Sequence, residues 1–280
     1  MSVSLSRPML SLAPTTGGRT RGSASLTVHR IGQRTAPGRV AESGPLRLRF
    51  PKSGAGTLEG VLINTSGGVV GGDVLQVAIE AGADTSLVVT TQAAEKVYRS
   101  SGPVAHIAVA LRVASGARLA WLPQETIVFD RARLSRTIDV ELAADARLIA
   151  CEALLLGRTA MGERVGSGSL RDRWRVRRDG RLQFADALVL DGAIDRTLAR
   201  PAIAAGANGI ATLLYAAADA EERVAPLRAA LVQSGLEAGA SAEGDLLVAR
   251  LLARDGLTLR RGMVAALAAL STTPPRAYLL

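Results

Sequence analysis

Five acidic side chains, Asp73, Glu95, Glu125, Glu152 and Asp186, sit beside glycine clusters or apolar runs. Carboxylates in such places can balance buried cations, relay protons or hold a divalent ion loosely. Oxygen ligands release a transition-metal ion more readily than imidazole or thiolate does. Four segments around these acids depart from plain strand patterning. In Asn64-Thr-Ser-Gly-Gly-Val-Val-Gly-Gly-Asp73, the glycines Gly67, Gly68, Gly71 and Gly72 fall within six residues, which permits a tight turn and close backbone approach. The run from Thr90, Thr91 and Gln92 through Glu95, Lys96, Tyr98 and Arg99 places amide, acid and base directly after an apolar stretch. In Trp121-Leu-Pro-Gln-Glu-Thr-Ile-Val-Phe-Asp130, Pro123 should end one strand before Gln124 and Glu125. The fourth segment runs from Cys151 and Glu152 to Gly157 and Arg158, with Met161-Gly-Glu163 following.

Several chemistries are excluded. A phosphate-binding P-loop needs Gly-Lys before Ser or Thr, and the only lysines, Lys52 and Lys96, follow Pro51 and Glu95. Gly67 to Gly72 has the wrong spacing for a dinucleotide turn. With only His29, His106 and Cys151, neither a two-His zinc motif nor a cysteine cluster can form, and a disulfide framework is impossible. The 280 residues carry 34 Lys+Arg against 25 Asp+Glu, a net charge of +9. Nearly all of that excess is arginine in an Ala-, Gly- and Val-rich chain, and aromatics make up only 3%. Nucleic-acid binders usually add stacking aromatics to their basic surface, so no nucleic-acid partner is expected. No stretch reaches the roughly 18 apolar residues of a membrane span, so no membrane partner is expected and a cytoplasmic location is the default. A hydrophobic content of 48% is ample for a core.

The elements that must position the acids are strands. Leu75, Val77 and Ile79 alternate with polar residues, as do Ile107 to Val113 and Ile138 to Leu142, the period-2 mark of half-buried strands. Turn-plus-strand phrases lead into Leu87, Leu119, Leu148 and Leu182 at intervals of 32, 29 and 34 residues. That spacing suits stacked β-layers. Each of Glu95, Glu125, Glu152 and Asp186 follows shortly after one of these leucines, so stacking would bring the acids toward one another, with Asp73 near an entrance. From Ile210 the pattern changes to a strand, a helix with Asp219 and Glu222 in capping-box spacing, and two short strands. A last helix with Leu259, Met263, Leu267 and Leu270 on its inner face follows, stopped by Pro274-Pro275. Pro226 would place the start of the first of these helices near itself. The fold class is mainly β: a β-helix-like stack of strands with two C-terminal helices packed on it. The expected divisions are a flexible basic tail at 1–22, a β-stack body at 23–209, and an α+β part with two helices at 210–280, continuous with the body. Arg171, Arg173, Arg175 and Arg177 alternate with Leu170, Asp172, Trp174 and Val176, which puts four guanidinium groups on one strand face as a stripe for an acidic partner surface.

The four motifs NTSGGVVGGD, TTQAAEKVYRS, WLPQETIVFD and EALLLGRTAMGE, in this order and spacing, resemble the urease accessory protein D family, called H in some organisms. The resemblance is dense from Leu46 to Asp191 and looser beyond. It departs from the family pattern at the end, where Pro275-Arg276 is followed by Ala277-Tyr278 rather than directly by an aromatic residue. The resemblance implies a non-catalytic maturation factor that binds apo-urease together with accessory protein F and the GTPase accessory protein G. It implies nickel in transit and no tightly bound cofactor, and a partner that supplies the GTP hydrolysis. Nickel would pass along Asp73, Glu95, Glu125, Glu152 and Asp186. The rival reading from another class is a β-helix polysaccharide lyase or hydrolase using paired acids such as Asp186 and Asp191.

Overall fold

A computed structural model describes residues 19–52, 54, 56–158 and 161–278; most of the expected tail at 1–22 lies outside them. The alternating segments form two sheets of seven and ten strands, laid out as a β-helix of about four turns. In the first sheet β1 (Arg21–Ile31), β5 (Val74–Ala81), β8 (Ala105–Val113), β11 (Arg133–Leu142) and β13 (Gly168–Arg178) run parallel. In the second, β4 (Leu58–Asn64), β6 (Ser86–Thr91), β9 (Arg118–Leu122) and β12 (Arg147–Leu156) run parallel. Two short strands, β7 (Glu95–Val97) and β10 (Thr126–Val128), form a third side; they pair in parallel with each other, and β10 also pairs in parallel with β12.

Antiparallel pairs close the stack. At one end β2 (Arg34–Ser43) pairs with β1, and β3 (Leu46–Arg49) pairs with β4. At the other, β14 (Arg181–Gly192) pairs with β13, and β15 (Gly209–Ala216), β17 (Leu246–Ala253) and β16 (Glu237–Glu243) extend the second sheet beyond β12.

The repeat phrases explain the stacking. Leu87, Leu119 and Leu148 are direct partners across β6, β9 and β12, and all three point into the interior. Facing them, Leu26, Ile79, Leu111, Val140 and Val176 form one ladder across five strands of the first sheet. Burying each such side chain stabilises the fold by roughly 1.5–3 kcal/mol before the ordering entropy is counted. The fourth phrase departs from the expectation. Asp179 and Gly180 both have positive φ, 48° and 76°, and form the two-residue loop of an antiparallel hairpin between β13 and β14. Leu182 therefore leaves the stack and is exposed.

A second core lies on the outer face of the second sheet, under helices α2 (Val224–Gln233) and α3 (Gly256–Ala269). Leu122, Cys151, Leu213 and Leu251 pack there against Leu227, Leu231, Leu259, Met263 and Leu267. Strand β12 is thus covered on both faces, which is why Leu148 to Leu156 reads as a nearly continuous apolar run rather than an alternation. α3 starts where Asp255 accepts a hydrogen bond from the Thr258 N–H, and Leu259, Met263 and Leu267 line its buried side. α2 starts at Val224, two residues before Pro226, as the proline requires. Asp219 does not cap that helix; its carboxylate takes the Tyr215 hydroxyl and the Arg223 guanidinium instead. A short helix not foreseen in the sequence, α1 (Ile194–Leu198), buries Ile194 and Leu198. Among the described residues no helix is long and apolar enough to cross a membrane.

Candidate functional site

Between the sheets and the third side lies a cavity of about 210 Å³. Its polar lining comes from Asn64, Glu95, Trp121, Gln124, Thr126, Arg136 and Glu152, drawn from all four sequence motifs and from β11. Glu152 occupies an inward position of β12, in phase with Ala150 and Leu154. Arg136 is inward on β11, in phase with Leu134 and Ile138, and Asp172 lies directly opposite it on β13. The Arg136 guanidinium donates to both Asp172 oxygens at 3.0 and 2.6 Å, to Thr126 Oγ1 at 3.1 Å, and to Glu152. The Trp121 indole N–H donates to the other Glu152 oxygen at 3.0 Å. All three charged groups are buried.

One buried cation here serves two carboxylates. Burial opposes the Arg136 charge, but Asp172 and Glu152 beside it outweigh that and raise its pKa. Burial pushes Glu152 up to about 7; Arg136 and the Trp121 N–H pull the other way, and Asp172 adds repulsion. Glu95 sits half-buried at the start of β7, where burial raises its pKa against the Asn64 amide that donates to it at 3.0 Å. Exposed Gln92 and Lys96 stand at the rim of the same cavity.

The other expected acids lie elsewhere. Asp73 is buried and holds backbone, accepting from Thr20 N and Val70 N at 2.9 Å each. Glu125 faces outward to α3, where its carboxylate pairs with Arg260. Gln124 spans the two regions: it lines the cavity and its Oε1 accepts from Arg260 at 2.5 Å, while its Nε2 finds no acceptor among the described residues. Asp186 bridges the sheets by pairing with Arg250 of β17 at 2.7 Å. Asp186 and Asp191 are an odd number of residues apart on β14, so they project from opposite faces and do not form a facing acid pair. The structure thus brings Glu95 and Glu152 to one cavity and places Asp73, Glu125 and Asp186 around it in separate contacts. Among the described residues no group of three His, Cys, Asp or Glu side chains is arranged to hold a metal ion.

The remaining motif residues shape the third side. Tyr98 donates its hydroxyl to Gly67 O at 3.0 Å and meets Phe129 edge-on at 5.0 Å, and the Arg158 guanidinium lies 4.4 Å over that same Phe129 ring. Thr91 Oγ1 accepts from Gln124 N, Arg99 bridges to Ala132, Thr90 is buried, and Gly157 N donates to Val128 O. A Cβ on Gly68 would sit 2.4 Å from the Tyr98 ring, and one on Gly71 would sit 1.9 Å from Ser100 Oγ. Gly72 N donates to Val104 O. On the outer face of β13, Arg171, Arg173 and Arg175 are exposed, and Arg177 reaches Glu141 at 3.5 Å. Arg136 and Asp172 lie outside the four sequence motifs. Their signal is a charge standing in the apolar phase of a strand.

Fold and site together define a capped β-solenoid with a helical flank and a small interior chamber built on one shared guanidinium. Residues 20–277 match the sequence profile of the family described as UreD urease accessory protein. Urease accessory protein UreD of Methylobacterium sp. (strain 4-46) is 55% identical over 227 residues, covering 79% of this chain and 80% of its own length. The Xanthobacter autotrophicus (strain Py2) protein of that name is 51% identical over 93% of this chain and 90% of its own. That of Rhodopseudomonas palustris (strain BisA53) is 46% identical over 93% and 91%. The chain belongs to the UreD urease accessory protein family.

Proposed function

We propose that this chain serves urease maturation as a non-catalytic scaffold that binds apo-urease together with accessory protein F and the GTPase accessory protein G, and that nickel passes through it on the way to the urease active site. Family membership supports the urease role. The observation that carries the nickel path is the interior chamber, with Glu95 near its rim and Glu152 at depth. Two carboxylates separated along a cavity offer a divalent ion a few oxygen ligands at a time, which favours passage over storage. Glu152 with a pKa near neutrality can give up or take a proton as a cation arrives or leaves. The exposed row Arg171, Arg173 and Arg175 is the surface we assign to docking on an acidic partner, where guanidinium groups steer encounter.

The test replaces Glu95 and Glu152 singly by glutamine and measures urease activity and nickel content at limiting nickel, alongside pull-down of the assembled complex. We expect normal assembly with activation lowered several-fold in both variants. Full activation by both variants would remove the nickel path.

A further inference from the structure

A second concavity, unrelated to the interior chamber, lies on the outer face of the second sheet. It is a cleft of about 640 Å³ between that face and the segment from Leu270 to Arg276 that follows α3. Its floor is set by strand register. Glu59, Val88, Ala120, Ile149 and Tyr215 are successive partners across β4, β6, β9, β12 and β15. Beside this row, Ser86, Arg118 and Arg147 are partners across β6, β9 and β12.

The charge in the cleft is one-sided. Arg223 is paired with Asp219 at 2.7 Å, which leaves Lys52, Arg118, Arg147 and Arg276 facing the single carboxylate of Glu59. Arg118 and Arg147 are both exposed and directly opposite each other on adjacent strands, and among the described residues neither has an acidic partner. Like charges opposite one another on neighbouring strands, about 4.8 Å apart, destabilise a sheet unless an anion lies between or over them. The chain's own first 18 residues include Arg7 and no acid, so they bring no compensating charge.

We propose that this cleft docks an acidic, extended segment of a partner protein. The partner's carboxylates would lie on Arg118, Arg147 and Arg276, and an apolar side chain between them would rest on half-buried Val88. The dimensions favour a peptide. The floor row crosses four strand spacings, about 19 Å, the length of five or six extended residues. A single small anion would engage only the Arg118–Arg147 pair and leave Lys52 and Arg276 in the same cleft unmatched. The roof is held in place because Tyr278, two residues past Arg276, donates its hydroxyl to Pro123 O at 2.6 Å.

The experiment uses the full-length protein and rhodamine-labelled ten-residue peptides, one alternating Glu and Val and the other alternating Gln and Val. Fluorescence anisotropy is read at low salt. We expect the Glu–Val peptide to bind and the Gln–Val peptide to bind at least tenfold more weakly. The double variant Arg118→Gln with Arg147→Gln, checked for fold by circular dichroism, should lose at least tenfold in affinity. Arg112→Gln with Arg133→Gln, exposed on the far sheet, should lose less than twofold. Equal losses in the two double variants would mean diffuse attraction to a basic protein and would overturn the assignment. So would unchanged binding in the first variant. If millimolar phosphate binds at Arg118 and Arg147 and the Glu–Val peptide binds no more tightly than phosphate does, the cleft is a small-anion site and the peptide proposal fails.

Discussion

Arg136 sits between Asp172 and Glu152 with its donors spent on both, in the interior of the stack. Two buried anions around one cation leave an excess negative charge, which the interior resists by keeping a proton near Glu152. The sign of the effect on stability follows directly. Glu152 is raised to about 7 in the folded chain, so the native state binds a proton that the unfolded chain has already released. Its contribution is fully present below the unfolded value, about 4.3, and is lost as pH rises through about 7. Glu152→Gln removes this dependence. Thermal unfolding followed from pH 5 to 8 should show the variant gaining on the parent protein up to about pH 7 and keeping a constant difference from it above. Parallel curves across that range would show that Glu152 is ionised throughout. Glu95 and Glu152, the two expected acids that line the cavity, stand out in the sequence because each follows a repeat phrase. Their partners do not, because Arg136 and Asp172 are distant in sequence and only strand register makes them neighbours.

At the scale of elements, sequence and structure agree where a turn carries the chain from one sheet to the next. Leu87, Leu119 and Leu148 fall into register because each follows the same short turn. The phrase at Asp179-Gly180 looks alike on paper but reverses the chain, since positive φ at both loop residues matches the twist of a two-residue hairpin. Asp219 shows the same limit: its spacing suits a cap, yet Tyr215 and Arg223 reach it first. The glycine motif is decided by crowding that no local pattern reveals. At Gly71 an added Cβ would lie 1.9 Å from Ser100 Oγ and 2.3 Å from Pro103 O, two groups joined to each other by a 2.9 Å hydrogen bond. Gly71→Ala should therefore destabilise the protein by about 1–3 kcal/mol, measured by urea unfolding. Gly102→Ala, where a Cβ meets nothing within 4 Å, should change stability by less than about 0.5 kcal/mol.

Across the whole molecule, two cores share the second sheet, and the C-terminal segment packs into the outer one. Tyr278 is buried beside α3, with its hydroxyl between Pro123 O and Cys151 Sγ and its ring 5.0 Å from the Arg260 guanidinium. Burial pushes the Cys151 thiol up to about 12, so at neutral pH it carries almost no thiolate. Reaction with a disulfide reagent should thus be at least a hundredfold slower in the folded protein than in denaturant. Tyr278→Ala should speed it markedly while far-UV circular dichroism stays unchanged, because the residue that covers the thiol is gone. Equal thiol rates in the folded and denatured chain would contradict this packing. The antiparallel pairs at the two ends of the stack have a consequence of their own. An uncapped solenoid offers each terminal coil as a template for another, and such chains join into filaments. Here the outermost ribbons run against the grain of the coil and carry Arg34, Pro37, Arg39, Arg47 and Arg49 at one end and Glu237 and Glu243 at the other. A neighbouring copy thus meets a blunt, charged, mismatched rim, so the winding has a fixed length and the molecule stays a discrete particle.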